Sequence, residues 1–304
     1  MKLKRIIAVL IAFNALLVAI WLLRPHTLEQ RARELREEKL EPRFERLKPL
    51  EKAWLDPDPQ RHLRRGREPG STFAEYRSWD PTRPAPGRSS VDLQPLGDFS
   101  PEQRKLITLS ADFLRRISTL EVRVHDPLPL FPDLSERNNE GRRQVLAPAL
   151  ERKLAESVPK DSLGLLAVIS VGLYPEPSWN YVFWDSSPDA PVMVGSLQEL
   201  GNPAASPAAF RLALARTIKI ELQQLLSLLS MHRCLAYECM NNPSEGLDDL
   251  DRQPLHLCAA TLQQLCWNVS CDPARTLGAA AAFLRENGLD AGWYDRAIPL
   301  VSQP

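Results

Sequence analysis

The chain has 304 residues, 44% of them hydrophobic, so it is long enough to bury a sizeable core in one main domain. Its 38 basic and 38 acidic residues give no formal net charge at neutral pH. That balance argues against a general nucleic-acid binder, and we expect no nucleic-acid partner.

The N-terminus combines a basic stretch at residues 1–5 with an apolar run at residues 6–23. The run is near the lower limit for a helix that spans a bilayer, and no small-residue cleavage signal follows Ala19. The sequence therefore predicts an uncleaved transmembrane anchor at 6–23 and a single-pass membrane protein; a buried core helix is the alternative. Basic residues before the run favour an extracytoplasmic domain, although further arginines after the run weaken this orientation.

Residues 24–88 are predicted to connect this anchor to the folded domain. Charged residues dominate as far as Leu50, with a sparse apolar stripe that Pro42 and Pro49 interrupt, which is typical of a solvated stalk. Prolines and arginines then accumulate up to Arg88, as in an irregular linker.

The domain itself is predicted to occupy residues 89–304, with strands and helices in alternation. Strands are expected at 91–96, around 122–128 and at 163–171, the last being apolar throughout as a central strand requires. Helices are expected from Ser100, over 144–158 and after Asp272. This order favours an α/β fold with a mixed sheet and covering helices.

A further amphipathic helix is predicted from Ser206 to Ser230. Its leucines and isoleucines recur at three- and four-residue steps, and polar residues recur at the same steps on a separate stripe. The stripe consists of Arg216, Lys219, Gln223, Ser227 and Ser230.

The end of this helix and the five cysteines behind it carry a family resemblance. Gln223-Gln-Leu-Leu-Ser227 is followed by Ser230, Arg233-Cys234, Cys239 and, after an acidic run, Cys258. The spacing resembles the archaemetzincins, in which a helix bears His-Glu-x-x-His-x-x-Gly-x-x-His-Cys ahead of Cys-x4-Cys and Cys-x-x-Cys. The segment 173–183, with its Leu-Tyr-Pro and Ser-Trp-Asn, is similar to the element that borders the cleft in that family. The resemblance implies a metzincin-like fold.

The resemblance also implies that every catalytic position is substituted. The family's first two zinc-binding histidines fall on Gln223 and Ser227, its glutamate on Gln224 and its third histidine on Arg233. A catalytic zinc needs imidazole or carboxylate ligands and a carboxylate base. We therefore expect no catalytic residues and no catalytic zinc, and these side chains are interpreted as the polar face of a helix.

The cysteines predict a structural zinc site that lacks one of the family's four ligands. Cys234, Cys239 and Cys258 match three of the four ligands that the family uses, whereas the fourth position falls on Thr261. His256 or Cys266 is a candidate to complete the site. The alternative is that the thiols are buried apolar groups or form disulfides.

The sequence thus predicts a membrane-anchored, catalytically inactive archaemetzincin homologue whose cleft binds a peptide or protein partner. The alternative is an active zinc-dependent peptidase with a relocated site around His232, His256, Glu238 or Asp251. A third possibility is a structural role in an envelope complex.

Overall fold

The computed structural model describes residues 28–55 and 70–303. Its helices are α1 (Leu28–Glu37), α2 (Pro42–Glu45), α3 (Phe73–Ser78), α4 (Pro101–Ser118), α5 (Ala147–Ala155), α6 (Pro207–Leu228), α7 (Leu247–Arg252), α8 (Ala259–Val269), α9 (Pro273–Glu286) and α10 (Gly292–Val301). Its strands are β1 (Ser90–Leu96), β2 (Glu121–Val124), β3 (Glu136–Asn139), β4 (Arg142–Leu146), β5 (Ser162–Ile169), β6 (Gly172–Tyr174), β7 (Trp184–Ser186) and β8 (Val192–Ser196). Short 3₁₀ helices lie at Lys48–Leu50 and Gln198–Leu200. The predicted mixed α/β architecture is confirmed.

The main sheet has five strands in the order β2-β1-β5-β8-β7. Its first four strands are parallel, and β7 runs antiparallel to β8 at one edge. All eight residues of β5 are buried, as the continuous apolar run predicts. Leu166 and Val168 face the larger core, whereas Ala167 and Ile169 face a smaller one on the other side of the sheet.

Helices cover both faces of this sheet. Helix α4 starts at a capping box formed by Ser100 and Gln103, and its Phe113 and Leu114 are fully buried. Helices α4 and α6 pack in the larger core, and α5 contributes Leu150 and Leu154 to the smaller one.

A second, three-stranded sheet has the order β3-β4-β6. The sequence predicts a helix from Gln144, but the chain first forms the hairpin of β3 and β4, and the helix begins only at Ala147. Strand β8 was likewise not predicted. Both misses concern short strands, and β4 and β8 each have a parallel partner in a separate part of the chain, β6 and β5 respectively.

The N-terminal segment, residues 28–55, lies against the domain. Four residues of its sparse apolar stripe are buried in the larger core rather than solvated, namely Leu35, Leu40, Phe44 and Leu47, and Ala32 is buried with them. At its end, the backbone amide of Trp54 donates to the carbonyl of Ala236 at 3.2 Å, and Ala53 forms an antiparallel β-bridge with Tyr237. The interpretation of this part as a solvated spacer was therefore wrong. The first part of the predicted linker, residues 56–69, lies outside the described residues. Its second part is not irregular throughout, because it contains helix α3, whose Tyr76 is fully buried.

The prediction of a membrane anchor is corrected. None of the helices in residues 28–55 and 70–303 combines the length and apolar character that crossing a bilayer requires. The longest, α6, has 22 residues but carries four charged side chains: Arg211, Arg216, Lys219 and Glu221. The run at 6–23, on which the single-pass location, the extracytoplasmic domain and the membrane partner depended, lies outside the described residues.

Burial of the N-terminal segment predicts that it stabilises the fold. Leu47→Ala should lower the free energy of unfolding by about 2–5 kcal/mol, because Leu47 is fully buried and truncation leaves a cavity. Leu55→Ala is the matched control, since Leu55 is 82% exposed and its loss should change stability by less than about 0.5 kcal/mol. Urea denaturation measures both; equal stability of the two variants would show that the segment is not part of the folded unit.

Candidate functional site

Helix α6 positions the residues that the sequence singled out. It starts at the N-cap Ser206, whose hydroxyl accepts from the amide of Ala209, and Pro207 occupies its first turn. The helix ends at Leu228, and Ser230 then adopts a left-handed φ of 64°. Such a backbone favours glycine, which is the residue that the archaemetzincin pattern has at this position. The turn therefore agrees with the proposed alignment.

The polar stripe of α6 is bonded to the loop at residues 240–253. Arg216 forms a two-point ion pair with Asp251, at 2.8 and 2.6 Å, which holds the pKa of that carboxyl below its ordinary value. One turn later, the ammonium of Lys219 donates to the carbonyls of Leu250 and Gln253, at 2.8 and 2.7 Å. Burial lowers the pKa of Lys219 to about 8.

Gln223 continues this row of contacts. Its Nε2 donates to the carbonyl of Met240 at 2.8 Å and to Oε1 of Gln253 at 3.1 Å. Met240 is fully buried beneath this contact, although its spacing from Cys239 departs from the family pattern. The predicted first ligand position is therefore occupied by an amide whose donor end is already bonded to protein acceptors.

Gln224 lies inside the core rather than in a cleft. Its side chain is fully buried, and it packs so closely on Gly195 of β8 that a Cβ there would come within 2.6 Å of its Nε2. A general base must reach a bound water, and an amide has no basic carboxylate. Together with the guanidinium of Arg233, these residues do not fit a catalytic zinc.

Ser227 and Arg233 do face a cleft, of about 1080 Å³. Arg233 lies over the ring of Trp184, with 4.7 Å from Cζ to the ring centroid, and donates to Oδ1 of Asn241 at 3.2 Å. The cleft is lined by Pro175, Glu176, Trp179, Asn180, Tyr181, Val182, Phe183, Trp184, Asp185, Ser186, Ser227, Met231, Arg233, Pro243, Ser244 and Glu245. The end of α6 and the segment predicted to border a cleft therefore share one cavity.

One wall of the cleft is a sheet edge to which no further strand of residues 28–55 and 70–303 is paired. Strand β7 is last in the order of the main sheet, and Phe183 and Ser187 form backbone bonds to β8. Because strand residues alternate in direction, the carbonyls of Trp184 and Ser186 point to the opposite edge, which lies in the cleft. The Ser186 amide is engaged by the carboxylate of Asp185 at 3.0 Å.

Three buried cysteines form a cluster beside this site. The sulfurs of Cys234, Cys239 and Cys258 lie within 4.8 Å of one another, and the Cys234 and Cys258 sulfurs are 3.5 Å apart. Thr261 completes the group, with its hydroxyl 3.4 Å from the Cys258 sulfur and 3.6 Å from the Cys239 sulfur. The structure thus brings together the three predicted ligands and Thr261.

Backbone amides donate to a sulfur of this cysteine cluster, which stabilises a thiolate there. The amides of Asn241 and Cys258 donate to the Cys239 sulfur at 3.4 and 3.3 Å. Hydrogen bonds from the neighbouring thiols lower the pKa of Cys234. Asn242, which sequence reasoning missed, fixes the loop because its Nδ2 donates to the carbonyls of Cys234 and Tyr237, both at 2.9 Å. Three thiols with such donors fit a thiophilic metal ion such as zinc.

Neither candidate for the fourth ligand reaches the cluster. The ring of His256 stacks on Trp293 with 4.1 Å between centroids, and its burial lowers its pKa to about 3. Cys266 interacts instead with Cys271. None of the five cysteines forms a disulfide, which leaves the three clustered thiols free.

The residues of the relocated-site hypothesis are scattered. His232 stacks on Trp79 with 4.3 Å between ring centroids, Asp251 pairs with Arg216, and Glu238 lies 3.8 Å from Lys52. In the part of the chain that is described, the cysteine cluster is the one group of metal-binding side chains that converge.

Comparison with known proteins confirms the family resemblance. No family model matches the chain. It is 23% identical to Archaemetzincin-2 of Macaca fascicularis and to that of Homo sapiens, with 61% of this chain and 61% of each relative covered. The chain therefore spans about three fifths of the length of these relatives. The crystal structure of archaemetzincin from Methanopyrus kandleri is 21% identical, with a TM-score of 0.50 over 62% of this chain and 99% of that one, which supports the fold.

The helix that carries the site also buries a carboxyl group on its other side, towards α4. Burial raises the pKa of Glu221 from 4.5 to about 8. The stabilisation from the protonated form is complete below pH 4.5 and is lost as the pH rises towards 8, because the unfolded chain then releases a proton that the folded chain retains.

The side chain in Glu221→Gln does not titrate. As the pH rises from about 5 to about 8, the free energy of unfolding of this variant should therefore fall less than that of the wild type, by a few kcal/mol at roughly 1.4 kcal/mol per pKa unit. Urea denaturation across this range measures the difference. Glu121→Gln, at an exposed position of β2, is the control and should track the wild type. Parallel pH profiles for Glu221→Gln and the wild type would contradict the assignment.

Proposed function

Because the chain is a homologue of the archaemetzincins, we propose that it retains their cleft as a binding site for an extended peptide or protein segment and does not hydrolyse what it binds. The single observation that carries the proposal is the donor set beside the cleft. Gln223, Ser227 and Arg233 occupy the positions that the resemblance assigns to the zinc ligands, and none is a ligand that holds a catalytic zinc.

The position of Gln224, where the family has its catalytic glutamate, supports the loss of hydrolysis. Peptide hydrolysis by a metallopeptidase requires a carboxylate that accepts a proton from the attacking water. Gln224 supplies no carboxylate and is fully buried. An active peptidase with a relocated site would need His232, His256, Glu238 or Asp251 in one place, and these residues make separate contacts with Trp79, Trp293, Lys52 and Arg216.

The shape of the cleft supports binding of an extended chain. A peptide that lies antiparallel along β7 gains backbone hydrogen bonds from the open edge, largely independent of its sequence. Trp184 offers a broad apolar surface, and the guanidinium of Arg233 above it offers donors for a peptide carbonyl or carboxylate.

For the cysteine cluster we propose a structural zinc held by Cys234, Cys239 and Cys258. Bound there, zinc would cross-link the turn after α6 to the start of α8. Thr261 occupies the fourth corner in place of a thiol, so the ion would be held less tightly than by four thiolates.

The proposal predicts that peptides survive incubation with the purified protein and added zinc. Cleavage of a mixed pool of unstructured peptides, followed by mass spectrometry, should be no faster with the wild type than with Gln224→Ala. Chelator-sensitive cleavage by the wild type that disappears in Gln224→Ala would instead establish an active metallopeptidase.

Binding should be measurable without cleavage. Immobilised unstructured peptides should capture the protein. Trp184→Ala should raise the Kd for these peptides at least about tenfold, the equivalent of about 1.4 kcal/mol. Trp79→Ala is the matched control, because Trp79 also stacks on a basic side chain but does not line the cleft. Equal loss in the two variants, or no capture, would remove the cleft as a binding site.

Zinc content tests the cysteine cluster separately. Protein prepared without histidine tags should contain about one zinc per chain, which Cys239→Ser should lose and Cys271→Ser should keep. Removal of zinc from Thr261→Cys should require about tenfold more of a competing chelator than removal from the wild type, because a fourth thiolate replaces a hydroxyl. Zinc-free wild type, or a zinc content that Cys239→Ser leaves unchanged, would contradict the assignment.

A further inference from the structure

The last two cysteines lie apart from the cysteine cluster, at the end of α8. Cys266 is in the last turn of this helix and Cys271 follows its end. Neither residue has a role in the cleft or in the proposed zinc site. What these two thiols can do together follows from the turn that separates them.

That turn is a helix C-cap in which the chain reverses. Ser270 adopts the left-handed region, with φ 56° and ψ 40°, and the amide of Cys271 donates to the carbonyl of Cys266 at 3.0 Å. This six-residue hydrogen bond is the mark of a Schellman motif, which places the side chains of its first and last residues in contact. A disulfide needs Cα atoms about 4.4–6.8 Å apart, a condition that such a turn favours.

The two thiols differ in access and in acidity. Cys266 is 5% exposed, whereas Cys271 is only half-buried and can meet a reagent from solvent. The hydrogen bond from Cys266 lowers the pKa of Cys271 and raises that of Cys266. Cys271 is therefore the nucleophile of the pair, and Cys266 lies behind it as a second thiol.

The surroundings of Cys271 carry little net charge. The adjacent Asp272 pairs with Arg43 of the N-terminal segment at 2.8 Å and accepts the amide of Arg275 as the N-cap of α9. The neighbouring carboxylate is thus largely compensated, and a small anionic disulfide can approach.

We propose that Cys266 and Cys271 form a thiol–disulfide exchange site that reacts with small disulfides of the glutathione class. The Cys271 thiolate attacks one sulfur of the reagent, forms a mixed disulfide and releases one thiolate, which takes up a proton. The Cys266 thiol then loses its proton and its sulfur attacks that of Cys271, which expels the second thiol. The cysteine pair loses two electrons and two protons, and the reagent is reduced to two thiols.

The test is treatment of the folded, full-length protein with glutathione disulfide, followed by intact mass and peptide mapping. The wild type should lose the mass of two hydrogens, carry no glutathione and yield a Cys266–Cys271 cross-linked peptide. Cys266→Ser should instead retain one glutathione on Cys271, because the resolving thiol is missing. Cys271→Ser should remain unmodified at the buried Cys266.

Two controls keep the outcome independent of misfolding and of the turn itself. Unfolding curves must show that both serine variants are folded, and Ser270→Gly, which suits the left-handed turn, should oxidise as the wild type does. A stable mixed disulfide on Cys271 of the wild type would overturn the proposal. So would modification of Cys266 in the Cys271→Ser variant at the rate of the wild-type pair.

Discussion

The structure depends on a helix with a polar face that is buried. Helix α6 lies between the main sheet and the loop at 240–253, so the part of its polar stripe from Arg216 to Gln223 is buried and its donors must bond to protein atoms. The loop supplies those partners at successive helical turns: a carboxylate for Arg216, two carbonyls for Lys219 and a carbonyl for Gln223. Each donor left without its acceptor would cost about 1–3 kcal/mol, so helix and loop constrain each other.

The same contacts decide what chemistry is available beside the cleft. The acceptors around Gln223 are the Met240 carbonyl and Oε1 of Gln253, so the amide must turn its NH₂ group towards them. Its oxygen, the one atom that a cation would use, points away from the atoms that fix the side chain. Gln253 is held in turn, because its Nε2 donates to the Asn242 carbonyl at 2.8 Å. The amide at position 223 and the acceptors of the loop are therefore matched to each other.

Periodicity in the sequence predicted the elements whose faces are chemically distinct. The apolar run at β5 and the spaced leucines of α6 each specify one geometry, and both predictions are confirmed. The hairpin of β3 and β4 was missed because the residues of β3, Glu136-Arg-Asn-Asn139, are polar and give no alternation of apolar side chains. Asn242 was equally invisible as a functional residue, since nothing in the sequence gives the direction of its side chain. The site could be located from sequence, but its hydrogen-bond partners could not.

The cysteine cluster illustrates why a missing ligand need not unravel the loop around it. The segment from Cys234 to Cys239 is held on its inner side by Asn242, which bonds two of its carbonyls and accepts the Cys239 amide at 2.6 Å. On its outer side the N-terminal segment pairs with it, through Trp54 to Ala236 and through the amide of Glu238 to the Lys52 carbonyl at 2.8 Å. Glu51 then accepts the amide of Ala259, the first residue of α8, at 2.8 Å. Because hydrogen bonds from two directions already fix this backbone, its order would depend less on the proposed zinc, and Thr261 in place of a fourth thiol would weaken binding of that ion rather than the fold.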